Sequence, residues 1–342
     1  MLILIMLCVM VISYLNLKLW LKLEEYEKAT PTSYIKSLIN KSIVTNYSDA
    51  MEIFNVTPTD FMDKKIYGNY VKEIIGTNFK GIAINEISQE DETYLYEIST
   101  QDRMLQNKVG LKIKLEKNGG NYVATHINIP YTQYSFMAPN DAVILADGKE
   151  ISKHYKNSEL YDVPEFAGLS DKALIPKYVK YDITGIIKIP EISVSTPFDM
   201  NDENIVLYLN GKEKTQVEQF AKDFSVTYAK FVSKDAKFAD VSKFLVKESE
   251  CYNSIKGFDN SWYIDHTSPE VLNLETNETI YYSQNAFSTV VSFIYKVKTS
   301  ITFDKSDGTK GTANYENEYP TKYKVFIVKT SDGYKVANII SI

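Results

Sequence analysis

Apolar residues recur along this chain in two rhythms, and the switch between them marks its elements. Met1 to Leu17 is an almost unbroken apolar run, with Ser13, Tyr14 and Asn16 as its polar breaks and the first charge at Lys18. Roughly 20 apolar residues cross a bilayer core as a helix, so the run predicts a transmembrane anchor over residues 1–23. Residues 24–32 read as a linker. Thr30-Pro31-Thr32-Ser33 then predicts a helix start, and Tyr34, Ile35, Leu38, Ile39 and Ile43 follow at helical spacing. Thr57-Pro58-Thr59-Asp60 predicts a second start; its stripe is Phe61, Ile66, Tyr70, Val71, Ile74 and Ile75, and Gly76 ends it. From there the period drops to two. Phe79–Ile87, Tyr94–Ile98, Val109–Leu115 and Tyr122–Ile129 alternate as strands, the last pair around Asn118-Gly119-Gly120. Helices followed by antiparallel strands predict an α+β domain over residues 33–130.

The middle, residues 131–213, changes character. It is rich in proline and has no amphipathic helical stripe. Ala142–Leu145 runs into Asp147-Gly148, and Ile205–Tyr208 runs into Asn210-Gly211; both predict a strand followed by a tight turn. Tyr178–Ile189 alternates as a long strand, and His154–Pro176 reads as an irregular loop. The stretch is expected to form a small all-β module. Residues 214–342 then repeat the opening order. Thr215–Val232 is a helix with Val217, Phe220, Ala221, Phe224, Tyr228 and Phe231 on one face, and Val241, Phe244 and Leu245 predict another. Long strands follow: Thr279–Tyr282, Phe287–Phe303, and a closing hairpin of Lys322–Val328 and Tyr334–Ile340 around Ser331-Asp332-Gly333. Lys112–Lys117 and Tyr122–Ile127 resemble Lys324–Lys329 and Tyr334–Ile339, as an internal duplication would leave them.

Charge and composition narrow the function. The net charge of -6 is the wrong sign for a nucleic-acid binder. No Lys or Arg precedes Lys18, and Glu27-Lys28-Ala29-Thr30 is a poor cleavage site, so an uncleaved anchor fits better than a signal peptide. Lys18 and Lys22 on its C-terminal flank favour a cytoplasmic body, whereas the two-domain architecture favours an extracytoplasmic one, which is the localisation expected here. Arg103 is the only arginine among many lysines, a bias of AT-rich Gram-positive bacteria. Cys8 and Cys251 fall in separate regions, so no internal disulfide is expected.

Chemistry is sparse. His126, His154 and His266 have no second histidine at metal-ligand spacing, and no glycine-rich phosphate loop, GxSxG or His-Glu-x-x-His is present. The acidic turns Asp199–Glu203 and Asp304–Gly308 lack calcium-loop spacing. No metal, cofactor or catalytic residue is expected. Trp262, Tyr263, His266 and Tyr282 are the candidate pocket residues: if a cavity exists, they would supply aromatic walls and one base.

Helices followed by a long antiparallel sheet closing on Asp332-Gly333-Tyr334-Lys335-Val336-Ala337-Asn338-Ile339 resemble the nuclear transport factor 2-like (cystatin-like) cone fold. Membrane-anchored bacterial proteins carry one or two such domains, among them assembly subunits of conjugation machines and N-terminal domains of penicillin-binding proteins. The middle segment Ala138–Lys149 resembles small β modules of Gram-positive surface proteins. The resemblance implies two cone-like domains, 33–130 and 214–342, flanking the β module. It implies a single-span envelope scaffold, not an enzyme, held to the membrane by residues 1–23 and binding a protein or polymer. An isomerase or dehydratase of the kind some cone folds host, or an anchored small-solute binder, is the alternative.

Overall fold

The computed structural model describes residues 12–22, 30–100, 109–118, 121–201, 204–261 and 266–342. Residues 12–22 are helical (α1). At 1.5 Å per residue that stretch is about 16 Å long, roughly half of a bilayer core. Among the described residues no helix is long and apolar enough to cross a membrane. This overturns the transmembrane helix read from residues 1–23: the apolar run meets Lys18 and Lys22 within α1, and residues 1–11 lie outside the described part. The chain forms two compact units. One comprises residues 1–134 and 184–190, the other 135–183 and 191–342.

In the first unit, α2 (Pro31–Val44), α3 (Ala50–Ile53) and α4 (Lys64–Ile75) precede β1 (Ile82–Glu90), β2 (Thr93–Thr100), β3 (Leu111–Asn118) and β4 (Asn121–His126). The Thr30 hydroxyl caps α2 by accepting the Ser33 N–H, and Pro31 fills a first-turn site where no N–H is needed. The second helix starts later than the Thr57-Pro58 signal suggests. Asp63 is its cap, accepting the Ile66 N–H at 2.8 Å. Gly76 ends it at φ 88°, a conformation without penalty only for glycine. The four strands form an antiparallel meander in sequence order. Ile35, Ile39, Tyr67, Val71 and Ile74 from the helices close onto Tyr96, Ile98, Leu111, Ile113 and Leu115 from the sheet.

The second unit is built on a nine-stranded sheet. Its spine is β13 (Thr267–Ser283), β14 (Ala286–Asp304), β15 (Lys310–Thr330) and β16 (Gly333–Ser341), again an antiparallel meander after three helices: α5 (Gly211–Val232), α6 (Phe238–Val241) and α7 (Glu250–Lys256). The segment expected to be a separate all-β module is largely part of this sheet. It supplies β5 (Thr132–Pro139), β8 (Lys156–Asp162), β9 (Lys177–Ile186), β11 (Phe198–Asn201) and β12 (Asn204–Tyr208), while β6 (Ile144–Ala146), β7 (Lys149–Glu150) and β10 (Ile192–Val194) form a three-stranded sheet. The join is β12, hydrogen-bonded to β13 at Leu207 and Tyr208. Asn210-Gly211, read from sequence as a hairpin turn, instead starts α5: Asn210 is its N-cap and Gly211 takes φ 65°.

Both faces of the inner sheet are covered where β14 starts beside the end of β15, which explains the continuous buried runs Ala286–Val291 and Val325–Val328. On one face Phe287, Val291, Phe293, Tyr295, Val325 and Ile327 pack against Val217, Ala221, Phe224 and Phe231 of α5. On the other, Ala286, Phe326, Val328 and Ala337 meet Val163, Phe166, Leu169 and Ile175.

Candidate functional site

The two candidate residues that are described, His266 and Tyr282, do not converge. Trp262 and Tyr263 lie outside the described residues. His266 precedes β13 and Tyr282 is next to its end, so on the order of 40–50 Å of strand separates them.

His266 is tied into the end of α5. Its Nε2 lies 2.9 Å from Asp235 Oδ2, and its side chain is 4% exposed. The same oxygen accepts the Tyr295 hydroxyl at 2.6 Å and the Ser233 hydroxyl at 2.7 Å. Burial alone would raise the Asp235 carboxyl; the donors Tyr295, Ser233 and His266 outweigh it and hold the group below its ordinary value. Ser233 is the C-cap of α5, and Tyr295 sits in the middle of β14, so the network pins helix to sheet. The partner of His266 is Asp235, 31 residues away, and Asp265 lies outside the described part.

Tyr282 belongs to an aromatic cluster. Its ring meets Phe166 edge to face at 5.4 Å and Tyr178 at 6.4 Å, and its hydroxyl accepts from Ser288 at 3.3 Å. Burial pushes the Tyr282 hydroxyl up to about 12 and raises Tyr178 further, so both stay protonated near neutrality. The two line a cleft of about 520 Å³ with Asp199, Tyr208, Glu278 and Lys324. The Tyr208 hydroxyl donates to Asp199 at 3.0 Å, and the Lys324 ammonium lies 5.5 Å from the centre of the Phe326 ring. No histidine or cysteine is among the lining residues.

His126 is likewise closed in. Its Nδ1 accepts the Tyr67 hydroxyl at 2.9 Å, and its Nε2–H donates to Asn128 Oδ1 at 2.8 Å. The amide of Asn128 is oriented by its other partners: Oδ1 accepts the Lys112 N–H, and Nδ2 donates to the Gly110 carbonyl. That fixes the imidazole tautomer. Burial pushes its pKa down to about 4. Cys251 is buried too, its thiol pushed up to about 11.

The surface that sequence reasoning passed over is the distal part of the β14–β15 hairpin. Residues at odd positions share one face: Thr299, Ile301 and Phe303 lie opposite Tyr315, Ala313 and Gly311. This face continues the stripe Val291, Phe293, Tyr295 and Val297 that packs under the helices. Beyond Thr299 it is uncovered, leaving Ile301, Phe303 and Tyr315 50%, 47% and 50% exposed. The even face is polar: Lys296 contacts Glu316 and Glu318, and Lys298 contacts Glu316. Gly311 lets the Phe303 ring lie close over the β15 backbone. A Cβ there would come within 2.7 Å of the Phe303 ring.

No family model matches the sequence, and no curated protein matches it. Among solved structures, an "Ntf2 like protein involved in plasmid conjugation" aligns with 89% of this chain and 97% of its own at 8% identity and a TM-score of 0.23, a likeness too weak to carry an argument about this chain.

Proposed function

We propose that this chain is a non-enzymatic binding or assembly protein that works through the distal β14–β15 ribbon. The carrying observation is the amphipathic ribbon itself, whose apolar stripe runs out from under the helices with Ile301, Phe303 and Tyr315 in solvent. Isolated exposed apolar residues are ordinary; several sharing one face of a regular element mark an interaction surface. The histidines agree with this reading. His126 and His266 are both enclosed and spend ring nitrogens on internal partners, as structural groups do. Helices leading into a four-stranded meander in each unit is also the element order that the nuclear transport factor 2-like resemblance implies.

A photo-crosslinking residue at Ile301, with one at Thr302 on the opposite face as control, tests the reading in cells making the chain. Discrete adducts from Ile301 and few from Thr302 are expected. No adduct from Ile301, or equal labelling from both faces, would defeat it. The cleft that Tyr178, Tyr282 and Lys324 line with Asp199 and Glu278 favours a second reading, capture of a small polar solute. A solute that protects Lys324 from acylation would support that alternative.

A further inference from the structure

We infer that the ribbon joins a second copy of this chain, edge to edge along β15, as a two-fold symmetric four-stranded ribbon. The inference rests on the reading of the ribbon as a binding surface. On its inner side β14 occupies β15 along its whole length, from Ala286 opposite Val328 to Asp304 opposite Lys310. On its outer side β16 pairs only from Tyr323 onward, and the Ile342 N–H reaches the Lys322 carbonyl. Lys310 to Glu318 therefore forms an edge with no neighbouring strand among the described residues. Pro320, with no N–H to offer, bounds this edge toward the sheet. A free edge of nine regular residues is a ready template for another strand.

The charges on this edge select its occupant. Lys310 makes no ion pair among the described residues, while Glu316 is taken by Lys296 and Lys298 and Glu318 has one long contact of 3.6 Å to Lys296. An antiparallel copy centred on Asn314 places Lys310 opposite Glu318 twice, once on each side of the axis. It leaves Glu316 with its own lysines and uses the edge from end to end. Side-chain parity is kept: Ala313 faces Tyr315 of the copy on the apolar side, and Thr312 faces Glu316 on the polar side. The two Tyr315 rings become diagonal neighbours, within reach of each other across the axis. An isologous contact of this kind closes after two subunits.

The alternative edge, along β14, is shorter. β13 pairs with β14 as far as Lys298, which among the described residues leaves Thr299 to Asp304 open.

Sedimentation of the purified full chain is the test. The contact is small, so a monomer at about 1 µM and a dimer at about 200 µM are expected. Lys310→Glu and Glu318→Lys should each weaken the dimer about tenfold, and the double variant should restore it to within about threefold. Asn314→Cys in a Cys8→Ser background should give an intermolecular disulfide on oxidation, because residue 314 meets itself at the axis, whereas Thr302→Cys should not. Thermal melts of each variant check that the fold is kept. A monomer throughout the range overturns the proposal, as does a dimer indifferent to both charge reversals. If Ile301 crosslinks to a different protein in cells while the pure chain stays monomeric, self-pairing falls and the binding reading survives.

Discussion

Acid should destabilise the first unit through His126. The imidazole is neutral in the fold, with Nδ1 filled by the Tyr67 hydroxyl and Nε2–H held by Asn128. Burial pushes its pKa down to about 4, against about 6.5 in an unfolded chain. Above pH 6.5 both states are neutral and the group contributes no pH dependence. As pH falls through 6.5 the unfolded chain takes up the proton first, so stability drops. The loss levels off below the folded value. A gap of about 2.5 units gives a loss of roughly 2 kcal/mol at pH 5 and about 3 kcal/mol at pH 4. With three histidines in the chain, the imidazole C–H resonances are easily assigned. The His126 signal should stay fixed from pH 8 to pH 5. Urea unfolding followed at methyl resonances of Ile98 and Ile113 should show the loss, and His126→Gln should remove most of its pH 7.5-to-5 component. A His126 resonance that titrates near 6.5, or an equal loss in the variant, would refute the reasoning; the first measurement stands even where the variant folds poorly.

Three further outcomes follow from packing and charge. Phe166→Ala removes a fully buried ring that meets Tyr282 and Phe326 edge to face, and should cost about 3–5 kcal/mol in denaturant unfolding of the second unit. Asp235→Asn loses the charged acceptor of three donors and should cost about 2 kcal/mol. Because the folded carboxyl lies below its ordinary value, its contribution holds above about pH 4 and is lost as pH falls through the folded value; the variant should lack that acid-limb component in melting curves. Gly110→Ala would bring a Cβ to 2.4 Å from the Ile98 carbonyl oxygen, so β2 and β3 must part; a loss of about 2 kcal/mol is expected by thermal melting, and an unchanged midpoint would show that the strands give way freely.

Local punctuation was legible in the sequence wherever one residue settles a backbone angle. Thr30-Pro31 starts α2 and Gly76 stops α4, and the closing hairpin turns at Ser331-Asp332, since cap and turn chemistry act within a few residues. Asn210-Gly211 shows the limit of that logic. The same dipeptide serves a hairpin or a helix start, and here the apolar face of Thr215–Val232, packed on Phe287 and Val291, makes it the latter. The site residues were less legible because their partners are distant along the chain. His266 meets Asp235 across 31 residues and His126 meets Tyr67 across 59, and no spacing rule reaches so far.

The exposed ribbon, by contrast, follows from lengths alone. A 19-residue strand at about 3.3 Å per residue is roughly 60 Å long, whereas a 22-residue helix at 1.5 Å per residue is about 33 Å. Even laid along β14, α5 can cover little more than half of it. The alternating stripe does not stop where that cover ends: Phe287, Val291, Phe293, Tyr295 and Val297 are buried under the helices, and Ile301 and Phe303 carry the same pattern into water. A strand selected only to build this core would turn polar on both faces after Val297. Retaining apolar residues at the uncovered odd positions, opposite Ala313 and Tyr315, costs solubility and calls for something to cover them. The mismatch between strand and helix length thus carries a core-forming stripe out into solvent, without any change in the rule that generates it.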